Sequence, residues 1–309
     1  MRSIVIIGIA TVDALGRPVD DFPRPGGLRF FDELTLATGG CAVNCAIALS
    51  RLGVPCRLVT RVGGDILGDF VVAELARNGV ATGGVIRDNS VNTSFSFAAV
   101  RSDGERAFLH TTGANARIRP ADQPADALEG GPLVFVAGSM LMDALDGPPT
   151  GALLAAARAA GATTLLDTVY VDSAPQAEWE RRIGPALPHL DYFLPSLPEA
   201  RALSGLTEPA EIARQFRSRG TKNVIIKLGA AGVYCLSATG AEFRIPAEPV
   251  ERVVDATGAG DCWSAGFLAG LAAGLPLDRA LRAGNAVAGC GIQAVGATAG
   301  VRPIPGLLA

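Results

Sequence analysis

A chain of 309 residues that is 49% hydrophobic and only 18% charged has the means to bury a large core, which excludes intrinsic disorder. Its formal net charge of -3 excludes the basic face or stripe of a nucleic-acid binder. Six cysteines with no CxxC pair, and His110 and His189 as the only two histidines, exclude the usual structural zinc arrangements.

Residues 1–10 hold one arginine and then a short apolar run. That run is too short for the core of a secretion signal and reads as a buried strand over Ile4–Gly8. No segment approaches the roughly 20 apolar residues of a spanning helix, so the expectation is a soluble cytoplasmic protein with reduced thiols and no membrane partner. Residues 30–37, after the Pro/Gly-rich 23–27, are strand-like. A helix over 41–52 stops at Gly53, a strand follows over 57–60, and a helix over 67–77 is closed by Asn78-Gly79. Phe95–Val100 and residues 106–110 flank Arg101-Ser102-Asp103-Gly104, an Asp-Gly hairpin pattern. Further strands are predicted over 133–137, 163–166, 192–194 and Asn223–Lys227. Helices are predicted over 152–160, 209–219 and 262–273. Continuous apolar strands separated by helices predict a parallel sheet covered on both faces. The hairpin and residues 30–37 break this rhythm. They read as a small β-flap inserted into the α/β core, or as two ordinary surface excursions.

The most informative stretch is Asp255-Ala256-Thr257-Gly258-Ala259-Gly260-Asp261. Small residues at a helix start let backbone N–H groups approach an anion, and the helix dipole favours negative charge there. A phosphate fits over Gly258, Ala259 and Gly260, and Asp261 beside it can take a proton from an attacking hydroxyl. A Gly-rich turn with Asp261 merely favouring the helix start is the other reading. Neither GxxxxGK[ST] nor GxSxG occurs, which excludes a Walker-type phosphate loop and a serine nucleophile elbow. In Gly39-Gly40-Cys41-Ala42-Val43-Asn44-Cys45-Ala46, Asn44 sits one turn into an apolar helix. Its amide needs a partner, either a bound polyol or a neighbouring loop. Asp13 follows the first strand at its carboxyl end, where ligands of open α/β sheets collect. It is a candidate for gripping two hydroxyls, or an exposed turn residue. Lys227-Leu228-Gly229-Ala230-Ala231-Gly232 ends another strand and suits close approach to a nucleotide.

Together these residues resemble the PfkB, or ribokinase-like, carbohydrate kinases. Gly39-Gly40-x-x-x-Asn44-x-Ala46 is similar to the family's N-terminal signature, and Asp255-x-Thr257-Gly258-Ala259-Gly260-Asp261 to its C-terminal one. Gly63-Gly64-Asp65-x-x-Gly68, Asp103-Gly104-Glu105-Arg106, Gly113-Ala114-Asn115, Lys227 to Gly232 and Asn285 follow in the family's order. The resemblance implies an α/β fold with a mostly parallel central sheet flanked by helices and a small β-sheet lid. It implies one domain over 1–309, with a core of about 1–11, 38–89 and 115–309 and a lid of about 12–37 and 90–114. By the same resemblance Asp261 is the catalytic base and the backbone of Gly258, Ala259, Gly260 and Asp261 the anion hole. Asp13, Gly39, Gly40 and Asn44 grip the substrate. Lys227, Gly229, Gly232, Asn285 and Ser196 line the ATP site. Glu199 holds Mg2+ through water, and Asp255 and Thr257 stand beside a K+-type ion.

Two departures matter. The family's Asn-x-x-Glu is Ser196-Leu197-Pro198-Glu199 here, which bears on the metal arrangement. Asp167-Thr168-Val169-Tyr170 lacks the arginine of sugar-acid relatives, which argues against 2-keto-3-deoxygluconate. The expectation is an ATP-dependent sugar kinase, a homodimer through its lid. The alternatives are a nucleoside kinase with Phe30, Phe31, Phe95 and Phe97 near a base, and a non-catalytic sugar-binding regulator.

Overall fold

The computed structural model describes residues 1–103 and 105–308. The chain runs through β1 (Ile4–Gly8), β2 (Thr11–Arg17), β3 (Glu33–Gly39), α1 (Cys41–Arg51), β4 (Arg57–Gly63), α2 (Ile66–Arg77), β5 (Val85–Asp88), β6 (Phe95–Val100) and β7 (Arg106–Thr111). It continues through β8 (Leu133–Ser139), α3 (Pro148–Ala159), β9 (Thr163–Thr168), α4 (Gln176–Ile183), β10 (Tyr192–Phe193), α5 (Leu197–Ser204) and α6 (Pro209–Ser218). It ends with β11 (Asn223–Lys227), β12 (Val233–Leu236), β13 (Glu242–Ile245), α7 (Ala259–Ala272) and α8 (Leu277–Gly291).

Nine strands form the main sheet in the order β13-β12-β11-β10-β9-β8-β1-β4-β5. It is parallel from β5 across to β11 and antiparallel at β12 and β13. Side chains on a strand alternate between faces, and the core divides accordingly. Ile4, Ile6, Phe135 and Ile225 join one cluster with α1, α2, α7 and α8. Val5, Ile7, Val136 and Ile226 join a second with α3 to α6. Burial on both faces is why these strands read as continuous apolar runs. No helix among the described residues is long and apolar enough to cross a membrane.

A separate four-stranded sheet has the order β3-β2-β6-β7. The hairpin expected from Asp103-Gly104 joins β6 and β7, which pair antiparallel, while Gly104 itself lies outside the described residues. The strand expected over 30–37 starts later, at Glu33, and ends at Gly39. Its bounds follow its partner, since Arg17 pairs Glu33 and Thr11 pairs Gly39. Asp13 pairs Ser96, and Ser96 pairs His110, so these three share one face. Val12, Ala14, Phe95 and Phe97 share the opposite face by the same alternation. Phe97 there packs against Phe31, ring centroids 6.2 Å apart. The sheet therefore carries Phe95 and Phe97 on the side away from Asp13, which removes them from any base-stacking role beside it.

Candidate active site

The carboxyl ends of the parallel strands and the amino ends of α1 and α7 converge. Gly258 caps α7 in the left-handed region, φ 69. A Cβ there would fall 2.6 Å from the Ala297 side chain, so both backbone shape and space demand glycine. Gly258→Ala is expected to cost at least the 1–2 kcal/mol or so of a left-handed non-glycine residue, read as a lower melting temperature; an unchanged melting temperature would refute the tight fit. The first turn of a helix leaves its N–H groups unpaired within the helix. Here Ala259 N–H turns to the Ala256 carbonyl at 3.2 Å, so Gly260 and Asp261 lead at the tip. Lys227 Nζ stands 3.3 Å from where a Gly260 Cβ would be.

Asp261 lies in the first turn of α7, as expected. Asn44, in the first turn of α1, donates Nδ2–H to Asp261 Oδ2 at 2.7 Å. That bond gives one N–H of the Asn44 amide a partner in the carboxylate itself. Cys41, the first residue of α1, lines the same cavity as Asp261. Burial pushes the Asp261 pKa up; the Asn44 bond opposes this, and nearby Asp167 adds to it. Asp261 is thus a carboxylate with raised proton affinity, held in orientation by an amide.

Lys227 is largely buried and ion-paired with Asp167 at 2.6 Å. Burial alone would lower its pKa, but Asp167, Glu199 and Asp261 outweigh that and raise it. Asp167 also accepts from Thr168 N–H at 2.9 Å and Ser264 Oγ at 3.2 Å. Glu199 Oε2 accepts Thr168 Oγ1–H at 3.0 Å and Ser196 N–H at 2.7 Å. Burial lifts Glu199 to about 7, with Lys227 pulling the other way. Ser196 and Glu199 take the N-cap and N3 places of α5, a capping pair. That local role explains why serine serves at this position.

Asp13 lies on β2, within the range expected for the lid, and faces Gly39. A Cβ on Gly39 would meet Asp13 Oδ2 at 2.1 Å, so the carboxylate rests directly on glycine backbone. Burial raises Asp13 to about 6, a bond from Ser96 opposes this, and Asp261 contributes in the raising direction. Gly40 joins β3 to α1 at φ 91.

A cavity of about 590 Å³ is lined by Cys41, Asp167, Ser196, Glu199, Lys227 and Asp261. A second, of about 270 Å³, shares Lys227, Gly229 and Gly260 with it and extends to Gly232, Trp263 and Asn285. Asn285 shapes that wall from inside: its Nδ2 donates to the Ile245 and Pro246 carbonyls, and its Oδ1 accepts Trp263 Nε1–H at 2.8 Å. Asp255 accepts Thr257 N–H at 2.9 Å and Gly296 N–H at 3.0 Å, tying two loops together. A roomier cavity, about 890 Å³ around Arg2, Arg57 and Asp126, contains none of these groups. Asp167, Cys41 and Ser264 were not singled out from sequence. Asp167 alone carried a signal, as an acidic residue ending a parallel strand.

The sequence pattern of the pfkB family of carbohydrate kinases matches residues 1–304. The chain belongs to that family. An Escherichia coli (strain K12) relative named as an uncharacterized sugar kinase, YegV, is 32% identical over 308 residues, covering 93% of this chain and 87% of the relative. The 2-dehydro-3-deoxygluconokinase of Bacillus subtilis (strain 168) is 29% identical, covering 88% of this chain and 85% of its own. Arabidopsis thaliana ribokinase, solved with ribose and ATP, superposes with a TM-score of 0.85 at 24% identity, covering 98% of this chain and 96% of its own. This pfkB-family carbohydrate kinase thus has the ribokinase-like fold, a large mostly parallel sheet flanked by helices with a smaller separate sheet.

Proposed function

We propose that this carbohydrate kinase transfers the terminal phosphoryl group of ATP to a hydroxyl of a sugar, with Asp261 as general base. The carrying observation is the partly buried, Asn44-oriented Asp261 carboxylate in the first turn of α7. The acceptor oxygen attacks the terminal phosphorus, its proton passes to Asp261, and the bond to the bridging oxygen breaks with its electron pair leaving on ADP. Such transfer depends on positioning and charge neutralisation. The N–H groups of Gly260 and Asp261, with Lys227 beside them, supply donors where charge gathers. Lys227, Gly229, Gly232, Ser196 and Asn285 bound the nucleotide side; Asp13, Gly39, Gly40 and Asn44 bound the acceptor side.

Among the described residues no cluster of three or more metal-type side chains forms. That fits magnesium, which takes one or two carboxylates and otherwise phosphates and water. Glu199 would hold it through water, and when bound it neutralises phosphate charge. Buried Asp255 with Thr257 is where a potassium-type ion would stand. The second sheet serves as a lid over the acceptor, excluding competing water. Its outer face, where Leu36 and Leu109 are exposed, is where a second copy would pack.

The test is ADP release from ATP and magnesium across pentoses, hexoses, sugar acids and nucleosides. The expected result is turnover with a sugar and none with nucleosides, since Phe95 and Phe97 face away from Asp13. Silence with every sugar would overturn the reading.

A further inference from the structure

Lys227 ends β11 and Asp167 lies near the end of β9, with the short strand β10 between them. Lys227 Nζ donates to Asp167 Oδ2 at 2.6 Å across that gap. Asp167 is 2% exposed. Its carboxylate has two further donors, Thr168 N–H to Oδ1 at 2.9 Å and Ser264 Oγ–H to Oδ2 at 3.2 Å. A buried carboxylate stripped of donors is costly, but these two stay with Asp167 if Lys227 turns away. An ammonium carries three hydrogens, so Lys227 has others to offer. Lys227 lines both the cavity of about 270 Å³ that reaches Asn285 and the cavity of about 590 Å³ that holds Asp261. Asp167 lines the second only. A nucleotide whose base fills the smaller cavity must therefore run its phosphates past Lys227, whose charge Asp167 already holds. Phosphate and Asp167 are two anions facing one ammonium.

Resting on the kinase reading above, we propose that Asp167 is a positioning residue that competes with nucleotide phosphate for Lys227, loosening the hold on ADP and so hastening its release. Tight binding of the ground state does not speed the chemical step, and product release often limits turnover. A merely structural ion pair acts with the opposite sign: its loss loosens the site and weakens every ligand.

The experiment is calorimetric titration of the full chain with ADP, an imido analogue of ATP and adenosine, each in the presence of magnesium. Asp167→Asn keeps the shape of the side chain and its acceptor for Thr168 but carries no charge. It should lower the Kd for ADP and for the analogue about three- to tenfold. That is less than a whole charge-assisted hydrogen bond, because Glu199 and Asp261 still share the cavity with Lys227. ADP dissociation should slow by a similar factor. Adenosine, which has no phosphate, should bind as it does to the wild type. In Lys227→Met, which has no ammonium to release, adding Asp167→Asn should bring no gain; a gain that persists there means that Asp167 merely repels phosphate. That result overturns the proposal, as does an unchanged or higher Kd for ADP in Asp167→Asn, or a gain shared by adenosine. Asp261-dependent turnover of a sugar then leaves the kinase reading standing. A wild type that phosphorylates no sugar and binds no ADP removes both. Should Asp167→Asn fail to fold, judged by its melting temperature, Ser264→Ala decides. It takes one donor from Asp167, which then grips Lys227 more firmly, so the Kd for ADP should rise about two- to threefold with adenosine unchanged. A fall or no change there overturns the proposal.

Discussion

Asp261→Asn should lower kcat by at least about 10²–10³, the scale on which loss of a single charge-stabilising donor acts in other enzymes. The amide preserves the shape of the side chain but cannot take the acceptor proton. Asn44 donates to Asp261 at 2.7 Å, and an asparagine oxygen can still receive that bond, so the geometry of the site should survive. Stability should survive too. Burial already raises the Asp261 pKa, meaning that the fold disfavours its charge, and a neutral amide removes that penalty. The KM for ATP is therefore expected to change little, and the melting temperature at neutral pH to hold or rise. The wild type should show an acid limb in kcat/KM above the ordinary carboxylate range, because activity is lost as pH falls through the raised pKa. Full turnover in Asp261→Asn would rule out the base assignment.

Lys227→Met should be the most damaging single change to stability. Lys227 is the largely buried cation among Asp167, Glu199 and Asp261, paired with Asp167 at 2.6 Å. Removing one member of a buried ion pair costs about 3–5 kcal/mol because the other is left uncompensated, and here several carboxylates are left together. The loss should depend on pH. A carboxyl whose pKa is raised on folding binds a proton more readily in the fold, so its cost is absent at low pH and grows as pH rises through the raised value. Glu199 already stands at about 7 with Lys227 present. The destabilisation should be largest at pH 8 and shrink toward pH 5.5, measured by urea unfolding at both. A loss equal at the two values would assign the effect to packing alone.

Much of this site was legible because its parts sit at positions with their own physical signatures. Gly258, Gly260 and Asp261 announce an anion-binding helix start, and Asp13 follows the end of a buried strand. What joins them was not legible. Asn44 and Asp261 are separated by 217 residues, and Lys227 and Asp167 by 60; only the packing of α1 on α7 and the order of the main sheet bring each pair together. The direction of Phe95 and Phe97 was within reach, since two-residue alternation places them opposite Ser96 once the strand is granted. Helix α8 is hard to read from sequence because Leu277–Gly291 is rich in alanine and glycine, whose small side chains blur the apolar period. Ser196 looked like a defect in a metal motif, whereas beside Glu199 it is also an ordinary helix cap.

Between β3, ending at Gly39, and α1, starting at Cys41, there is one residue, Gly40. The small sheet that carries Asp13 is thus coupled almost without slack to the helix turn that orients Asp261 through Asn44. A rotation of that sheet about Gly40 reaches Asn44 within four residues and cannot be absorbed by a loop. On the proposed kinase reading, an acceptor seated beside Asp13 would be felt at Asn44 and Asp261 through this single-residue joint.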